Sequence, residues 1–286
     1  MMYMLPKITV VTPSFNQGEY LEQTILSVIG QGYPNLEYII IDGGSTDNSL
    51  DIIRKYEGYF AYWDSKPDKG QADAINRGFK NSTGEILAWL NSDDMYVPGT
   101  LNYISRCFGQ TPGHKIVFGN CLRFNQGTKF AFGSNVEESH QKLDLSLCDY
   151  IIQPSCFWTK AVWEKIGSLN IDLVYTLDWD WFIRAKQAGV EFDAVGEFLS
   201  LYRLHAKHKS AIGGNARINE IAQIYQTYHS REIAQSYLAF SRDPKVRFIW
   251  KLMLKVRFPW RIKVMRLFFF PGITDAQCEG ISLVAI

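Results

Sequence analysis

Hydrophobic and polar residues follow two different periods along the first hundred residues. The run Ile8–Val11 is β-branched and too continuous for a half-exposed strand, so it predicts a buried one. Apolar residues then recur at helical spacing over residues 21–29, which predicts a helix with one buried face. A second apolar run, Glu37–Ile41, predicts another buried strand.

The same alternation of strand and helix continues to about residue 108. The next predicted elements are a helix capped by Ser45 or Thr46 and running to about Tyr56, a strand at Tyr59–Trp63, a helix over Gln71–Lys80, a strand at Glu85–Leu90 and a helix opened by Pro98. Four strand–helix units in about 100 residues predict an α/β fold with a doubly wound, mostly parallel sheet.

The remainder of the chain mixes short strands with helices. Residues 115–160 predict short strands joined by polar turns. The elements predicted beyond them are helices at Lys160–Ile166 and Asp178–Ala188, strands near Val190–Val195 and Phe198–Leu204, and helices from Asn215 onward. We therefore predict an α/β body followed by a C-terminal helical extension.

The extension differs from the body in charge. Between Arg242 and Arg266 there are nine Lys and Arg residues and one acid, whereas the whole chain has a net charge of +1. Residues 242–270 also carry aromatic side chains, and a basic, aromatic helix suits an anionic membrane surface. A helix packed on the body or at a dimer interface is the alternative. Nucleic acid is not expected as a partner, because aromatics at helical spacing do not form a base-stacking platform.

Cysteine content and apolar runs indicate the compartment. The five cysteines include no CxxC pair, so neither a disulfide framework nor a structural zinc site is expected. The N-terminus lacks an apolar signal core, and no stretch of about 18 uncharged apolar residues occurs. These features predict a cytoplasmic protein, and the basic extension adds the option of peripheral attachment to the inner face of the cell membrane.

The loops that follow the predicted strands carry the candidate chemistry, because ligands of open parallel sheets bind at the carboxyl ends of the strands. These loops read Thr12–Asn16, Asp42–Asp47 and Asn91–Asp94. The adjacent carboxylates of Asp93 and Asp94 repel each other unless a cation lies between them, and Mg²⁺ or Mn²⁺ held also by phosphate would serve. Asp93 and Asp94 could instead cap the next helix, and Asp42 could be a turn-forming residue before glycine.

Three common nucleotide or hydrolase motifs are missing. The turn Gly43–Gly44 does not fit the GxGxxG pattern of dinucleotide-binding folds. Neither a P-loop, GxxxxGK[ST], nor the GxSxG elbow of hydrolases occurs in the chain.

Taken together, four motifs in order resemble the family 2 glycosyltransferases of the GT-A fold. They are VTPSFNQGEYLEQTILSV, DGGSTDNSL, DKGQADAINRGF and TGEILAWLNSDDMYVPGTL, and the resemblance covers roughly residues 7–210. It implies a GT-A domain over residues 1–212, with a nucleotide-binding half at about 1–110 and an acceptor half at about 111–212. Residues 213–286 then form the helical extension.

The resemblance implies roles for residues in the first half. Thr12, Pro13 and Ser14 would line the nucleotide, Asp42 would contact the base, Asp93 the ribose, and Asp94 would bind the metal on the donor diphosphate. Lys69 lies where a donor-contacting loop is expected, although a solvated lysine explains it equally well. The chain departs from the family pattern at Asn91, where many members have an acid.

In the second half, TLDWDWFIRA resembles the family segment whose N-terminal acid deprotonates the acceptor, which makes Asp178 the candidate base; an N-cap aspartate is the alternative. Tyr202–His205 resembles an element that approaches the metal or diphosphate, so His205 is a second candidate metal ligand. Gln153 and Trp179 fall where family members build the acceptor site.

The resemblance therefore implies an inverting, metal-dependent enzyme that moves one sugar from a nucleotide-sugar donor to an acceptor hydroxyl. A UDP-sugar is the favoured donor, and a saccharide or lipid-linked saccharide of surface polysaccharide or lipopolysaccharide synthesis the favoured acceptor. The chain has no QxxRW motif of processive synthases. Two alternatives stay open: a nucleotidyltransferase, and a catalytically silent scaffold of the same fold.

Overall fold

The computed structural model describes residues 5–109, 113–125, 131–206 and 208–243, together with Lys263, Arg266 and Cys278. The strands in these residues are β1 (Ile8–Ser14), β2 (Leu36–Asp42), β3 (Tyr62–Ser65), β4 (Ile86–Trp89), β5 (Met95–Tyr96), β6 (Lys115–Asn125), β7 (Ala131–Gly133), β8 (Cys156–Thr159) and β9 (Glu191–Leu204). The helices are α1 (Gly18–Ile29), α2 (Ser49–Lys55), α3 (Gln71–Lys80), α4 (Thr100–Phe108), α5 (Val136–Lys142), α6 (Lys160–Ile166), α7 (Leu177–Gln187), α8 (Lys209–Ile212), α9 (Gly214–Tyr228) and α10 (Arg231–Arg242).

One sheet connects the described strands in the order β3-β2-β1-β4-β8-β6-β9-β5, and β7 pairs with β6. Strands β3, β2, β1 and β4 run parallel, as the alternation of strands and helices predicted. Beyond β4 the sheet is mixed, because β8 pairs antiparallel with both β4 and β6, whereas β6 and β9 are parallel. The predicted α/β fold is confirmed.

Helices cover both faces of the parallel strands. On one face, strand residues such as Val10 and Ile40 pack in a single buried cluster with apolar residues of α1, α2 and α4. Val11 points to the opposite face, because neighbouring strand residues alternate, and there it meets α3 at Gly78. The predicted doubly wound arrangement follows from this alternation of buried faces.

Several local predictions were wrong. The second helix begins at Ser49, so Asn48 rather than Ser45 or Thr46 is at its N-cap position. Helix α4 begins at Thr100 rather than at Pro98. Helix α5 was not predicted, and the two strands expected between Val190 and Leu204 are the single strand β9. That strand stays continuous because its pairing with β6 shifts register near Asn120 and so accommodates the irregular segment.

The chain divides into two compact units. The first consists of residues 1–137 and 151–205, and the second of residues 138–150 and 206–286. We predicted a division after residue 212, which placed residues 138–150 in the acceptor half of the GT-A domain. Within the described chain, no helix combines the length and apolar composition needed to cross a membrane.

In the second unit, helices α9 and α10 pack through aromatic side chains. The rings of Tyr225 and Tyr237 meet edge to face at 5.3 Å, and both are buried. The Tyr225 hydroxyl donates to the backbone carbonyl of Leu147 at 2.9 Å, which ties the 138–150 segment to these helices. The basic segment 242–270, apart from isolated residues, lies outside the described residues.

Candidate active site

The carboxyl ends of the parallel strands bring three polar side chains together. Strand pairing places Ser14 beside Asp42 and Asp42 beside Ser65. The Asp42 carboxylate is buried and accepts from Gly44 N–H at 3.0 Å, from Ser45 N–H at 2.8 Å and from the hydroxyls of Ser45 and Ser65 at 2.5 and 2.7 Å. Asp42 therefore shapes the turn after β2, the role that the sequence left open beside base contact.

The loop after β1 is bound to the loop after β2. Asn16, in a left-handed conformation with φ of 52°, donates its N–H to the Ser45 hydroxyl at 2.8 Å and accepts from Thr46 N–H at 2.8 Å. Phe15 precedes it with 60% of its surface exposed. These contacts make the two loops one rigid edge and leave an aromatic ring on its surface.

The other residues predicted to contact the nucleotide differ in their burial and hydrogen bonding. Thr12 is buried and its hydroxyl lies 3.1 Å from that of Tyr38, and Pro13 pairs with Ile41 inside the sheet. The Ser14 hydroxyl is buried and has no hydrogen-bond partner among the residues described. Lys69 is exposed. Of these four residues, Ser14 therefore has a polar group still to be satisfied and Lys69 has an accessible charge.

Asp93 and Asp94 lie just beyond the carboxyl end of β4. Asp94 is 1% exposed, and its two carboxylate oxygens accept from Arg203 N–H at 3.1 Å and from the Asn91 amide at 3.4 Å. Burial raises the pKa of Asp94 well above its usual range and the charge of Asp93 raises it further, whereas the hydrogen bonds from Arg203 and Asn91 lower it. In the described chain Asp94 forms no ion pair. Burial and the neighbouring charge of Asp93 therefore disfavour the ionised form of Asp94, and the charge of Arg203 offsets this only in part.

Arg203, from the end of β9, fixes the backbone of this pair. Its side chain is 3% exposed; Nε donates to the Asp93 carbonyl at 3.0 Å, and an NH₂ group donates to Gln23 Oε1 at 2.6 Å. The guanidinium also lies over the rings of Tyr20 and Phe124, at 5.0 and 4.9 Å from their centroids. The prediction from sequence missed Arg203 as a site residue, although it was part of the Tyr202–His205 segment that was singled out.

His205 contacts the other carboxylate. Its Nε2 lies 3.0 Å from Asp93 Oδ2, and its ring packs against Tyr20 at 4.6 Å. The imidazole therefore orients Asp93 in this structure. The predicted role of His205 as a metal ligand stays a prediction.

A divalent cation fits Asp93 and Asp94 only with ligands from elsewhere. Among the described residues no group of three or more His, Cys, Asp or Glu side chains is arranged to hold a metal ion. Mg²⁺ and its analogues often bind through one or two carboxylates and complete their shell with substrate phosphates and water. Such an ion would stabilise the ionised form of the Asp94 carboxylate, which burial disfavours.

The predicted acceptor residues lie in different surroundings. Gln153 is buried in a short 3-10 turn, donates to the Trp89 carbonyl at 2.8 Å and accepts from the Asn91 amide at 3.3 Å. Trp179 is 1% exposed, so its ring has almost no area to offer an acceptor. Asp178 is half-buried in the first turn of α7, and one carboxylate oxygen accepts from Trp179 N–H at 2.9 Å.

The fold is that of an α/β protein, and its acidic loops lie at the carboxyl ends of parallel strands, where open sheets of this class bind their ligands. Residues 9–161 match the glycosyl transferase family 2. An uncharacterised glycosyltransferase of Mycobacterium tuberculosis is 41% identical over 255 residues, which cover 82% of this chain and 90% of that protein. The chain therefore belongs to glycosyl transferase family 2, as its motifs predicted.

Other similarities are more distant. An uncharacterised glycosyltransferase of Rickettsia typhi is 28% identical, and the chain spans 64% of that protein's length. S. aureus TarS 1-349 in complex with UDP-GlcNAc superposes with a TM-score of 0.61 at 15% identity, covering 98% of this chain and 90% of that one. The mannosyltransferase PcManGT from Pyrobaculum calidifontis, in complex with GDP-Man and Mn²⁺, gives 0.61 at 14% identity, with 99% and 85% covered. These likenesses confirm the GT-A fold.

Proposed function

We propose that the protein is an inverting, metal-dependent glycosyltransferase that moves a single sugar from a nucleotide-sugar donor, a UDP-sugar, to an acceptor hydroxyl. The observation that carries the proposal is the Asp94 carboxylate, which is buried beside Asp93 without an ion pair among the described residues. A cation shared with a diphosphate would relieve this arrangement. The donors present in the similar structures, UDP-GlcNAc and GDP-Man, are of the same chemical class.

The nucleoside would bind along the edge formed by the loops after β1 and β2. The exposed ring of Phe15 offers a flat apolar surface to a base. The hydroxyl of Ser14, which has no partner in the part of the chain that the structure describes, offers a hydrogen bond. Asp42 keeps the turn beside them rigid, and the exposed cation of Lys69 would offset diphosphate charge. Asp93, oriented by His205, would accept from the ribose.

Asp178 would act as the base. A sugar hydroxyl does not ionise at neutral pH, so a carboxylate that removes its proton during attack accelerates transfer by about 10²–10⁴-fold. A single displacement at the anomeric carbon inverts its configuration. Asp94 would hold the divalent cation, with His205 as the second candidate ligand. When bound, Mg²⁺ or Mn²⁺ stabilises the negative charge that develops on the leaving diphosphate.

The acceptor would be a saccharide or a lipid-linked saccharide of surface polysaccharide or lipopolysaccharide synthesis. Gln153 and Trp179 are buried, so we expect them to shape the acceptor side through their neighbours rather than by direct contact. The basic segment 242–270 would hold the protein at the inner face of the cell membrane, where lipid-linked acceptors are found.

Calorimetry of UDP binding tests the metal-dependent site. We expect wild-type protein to bind UDP with Mn²⁺ and to lose most of this affinity when EDTA replaces the metal. Asp94→Asn keeps the shape of the side chain but removes its charge, so we expect it to bind UDP equally weakly with or without Mn²⁺. Asp51→Asn, on the exposed surface of α2, is the matched control and should bind as wild type does. UDP affinity that is the same with Mn²⁺ and with EDTA would contradict the metal-dependent site.

A further inference from the structure

Two side-chain amides connect the backbone of β4 to Asp94, and a third amide donates to one of them. Gln153 donates to the Trp89 carbonyl at 2.8 Å, and its Oε1 lies 3.3 Å from the Asn91 amide nitrogen. The same nitrogen lies 3.4 Å from Asp94 Oδ2, while Asn91 Oδ1 accepts from Gln71 Nε2 at 2.7 Å. Asn91 is thus the junction of the three amides, which we call the amide relay.

The hydrogen bonds of the relay have a fixed direction. The Trp89 carbonyl can only accept, so Gln153 must direct its NH₂ group to Trp89 and its oxygen to Asn91. Asn91 must then direct its NH₂ group to both Gln153 and Asp94, and its oxygen to Gln71. Reversing the Asn91 amide would place oxygen against oxygen at Gln153 and Asp94 and NH₂ against NH₂ at Gln71. A backbone carbonyl therefore determines which group faces the carboxylate.

We infer that Asn91, Gln153 and Gln71 are positioning residues, which hold the Asp94 carboxylate in place for a divalent cation. This inference rests on the proposed function, since it assigns the relay to the metal site. The hydrogen bond to Asp94 Oδ2 is long, at 3.4 Å, so it orients the oxygen while competing only weakly with a cation. Groups that orient metal-binding side chains commonly change metal affinity by about 10–100-fold when they are removed.

The neutrality of Asn91 is the second part of the inference. A carboxylate at position 91 would add a third acidic group beside Asp93 and Asp94. Because Asp94 is buried, water would screen the repulsion among these groups only weakly. Without a cation that arrangement would be destabilising, and with one it would bind more tightly. The amide therefore gives Asp94 a donor in the metal-free protein and limits the strength of metal binding.

Calorimetric titration with Mn²⁺ in the presence of UDP tests the relay. We expect Gln153→Met and Asn91→Leu to weaken Mn²⁺ binding about tenfold. Asn91→Leu removes the donor to Asp94, Gln153→Met removes the acceptor that orients Asn91, and both keep a similar side-chain volume. Gln31→Met is the matched control: Gln31 is also a buried amide, and its Nε2 donates to the carbonyls of Ser27 and Val97, both at 3.0 Å. It should leave Mn²⁺ affinity unchanged.

Thermal unfolding of Asn91→Asp tests the neutrality of Asn91, whereas the Mn²⁺ titrations test positioning. We expect this variant to unfold at a lower temperature than wild type without metal, and to gain more than wild type from added Mn²⁺. A purely structural contact would lower the unfolding temperature by the same amount with and without Mn²⁺, which would overturn the inference. This readout also covers the case in which Gln153→Met fails to fold.

The outcomes distinguish the inference from the proposed function. If wild-type protein binds no Mn²⁺ with UDP present, the metal-dependent function fails, and the inference fails with it. If wild type binds Mn²⁺ and the relay variants bind it equally well, the function stands and the inference is overturned.

Discussion

Replacing Arg203 by methionine removes the charged group that fixes the Asp93–Asp94 backbone while keeping most of the side-chain volume. The variant loses the hydrogen bonds to the Asp93 carbonyl and to Gln23, and the contacts with two aromatic rings. Hydrogen bonds from charged groups contribute about 1.5–3 kcal/mol each, and a desolvated cation–π contact about 2 kcal/mol. Methionine avoids the desolvation cost of a buried guanidinium, which offsets part of this loss.

We therefore expect Arg203→Met to lower the free energy of unfolding by about 2–4 kcal/mol. For a domain of this size the midpoint of thermal unfolding would fall by about 4–16 °C. Urea unfolding followed by tryptophan fluorescence measures the change. Arg54→Met is the control, because Arg54 is 63% exposed in its ion pair with Asp51 and should contribute almost nothing. An Arg203→Met protein as stable as the control would refute the structural role assigned to Arg203.

Two further predictions concern the sheet. Burial raises the pKa of Glu37, but hydrogen bonds from Thr83 and Thr9 outweigh this and leave the pKa lowered. The contribution of Glu37 to stability is thus complete above its unfolded pKa of about 4.3 and is lost as the pH falls through its folded pKa. We therefore expect the difference in free energy of unfolding between wild type and Glu37→Gln, measured in urea, to shrink from pH 7 to pH 3. Gly78→Ala should destabilise by about 1–3 kcal/mol despite alanine's helix propensity, because a Cβ there would overlap Val11. Greater stability of Gly78→Ala in urea would contradict the packing of α3 on β1.

Strands β1, β2 and β4 could be predicted because they are continuous apolar runs. Strand β3 (Tyr62–Ser65) is not such a run, and the predicted strand at Tyr59–Trp63 overlaps it by only two residues. Helices α3 and α6 have the bounds that the sequence predicted. Helix α3 has a distinct apolar face, and α6 lies between an N-cap threonine, Thr159, and a C-cap glycine, Gly167. Helix α5 escaped prediction because its sequence, VEESHQK, is polar and only Val136 is buried. The expected cap at Ser45 failed because its hydroxyl accepts from the N–H of Asn16 rather than from a helix N–H.

The candidate site was predictable in its residue types but not in its contacts. The acidic pair Asp93–Asp94 could be found because polar residues directly follow a buried strand. The contacts of Arg203 with Asp93 and of Gln153 with Asn91 join segments far apart in sequence, and no local pattern reveals them. The burial of Trp179 was likewise invisible, because an aromatic residue near an active-site helix suits either a binding surface or a core.

The most direct test of the central claim is turnover of nucleotide-sugars. Purified protein is incubated with UDP-, GDP- and dTDP-sugars and Mn²⁺, and released nucleoside diphosphate is measured beside Asp94→Ala and Asp178→Asn. We predict metal-dependent release of UDP from one UDP-sugar by wild type, abolished in Asp94→Ala and reduced by about 10²-fold or more in Asp178→Asn. Release of pyrophosphate would instead indicate a nucleotidyltransferase. No release from any donor, or full activity in Asp94→Ala, would contradict the account.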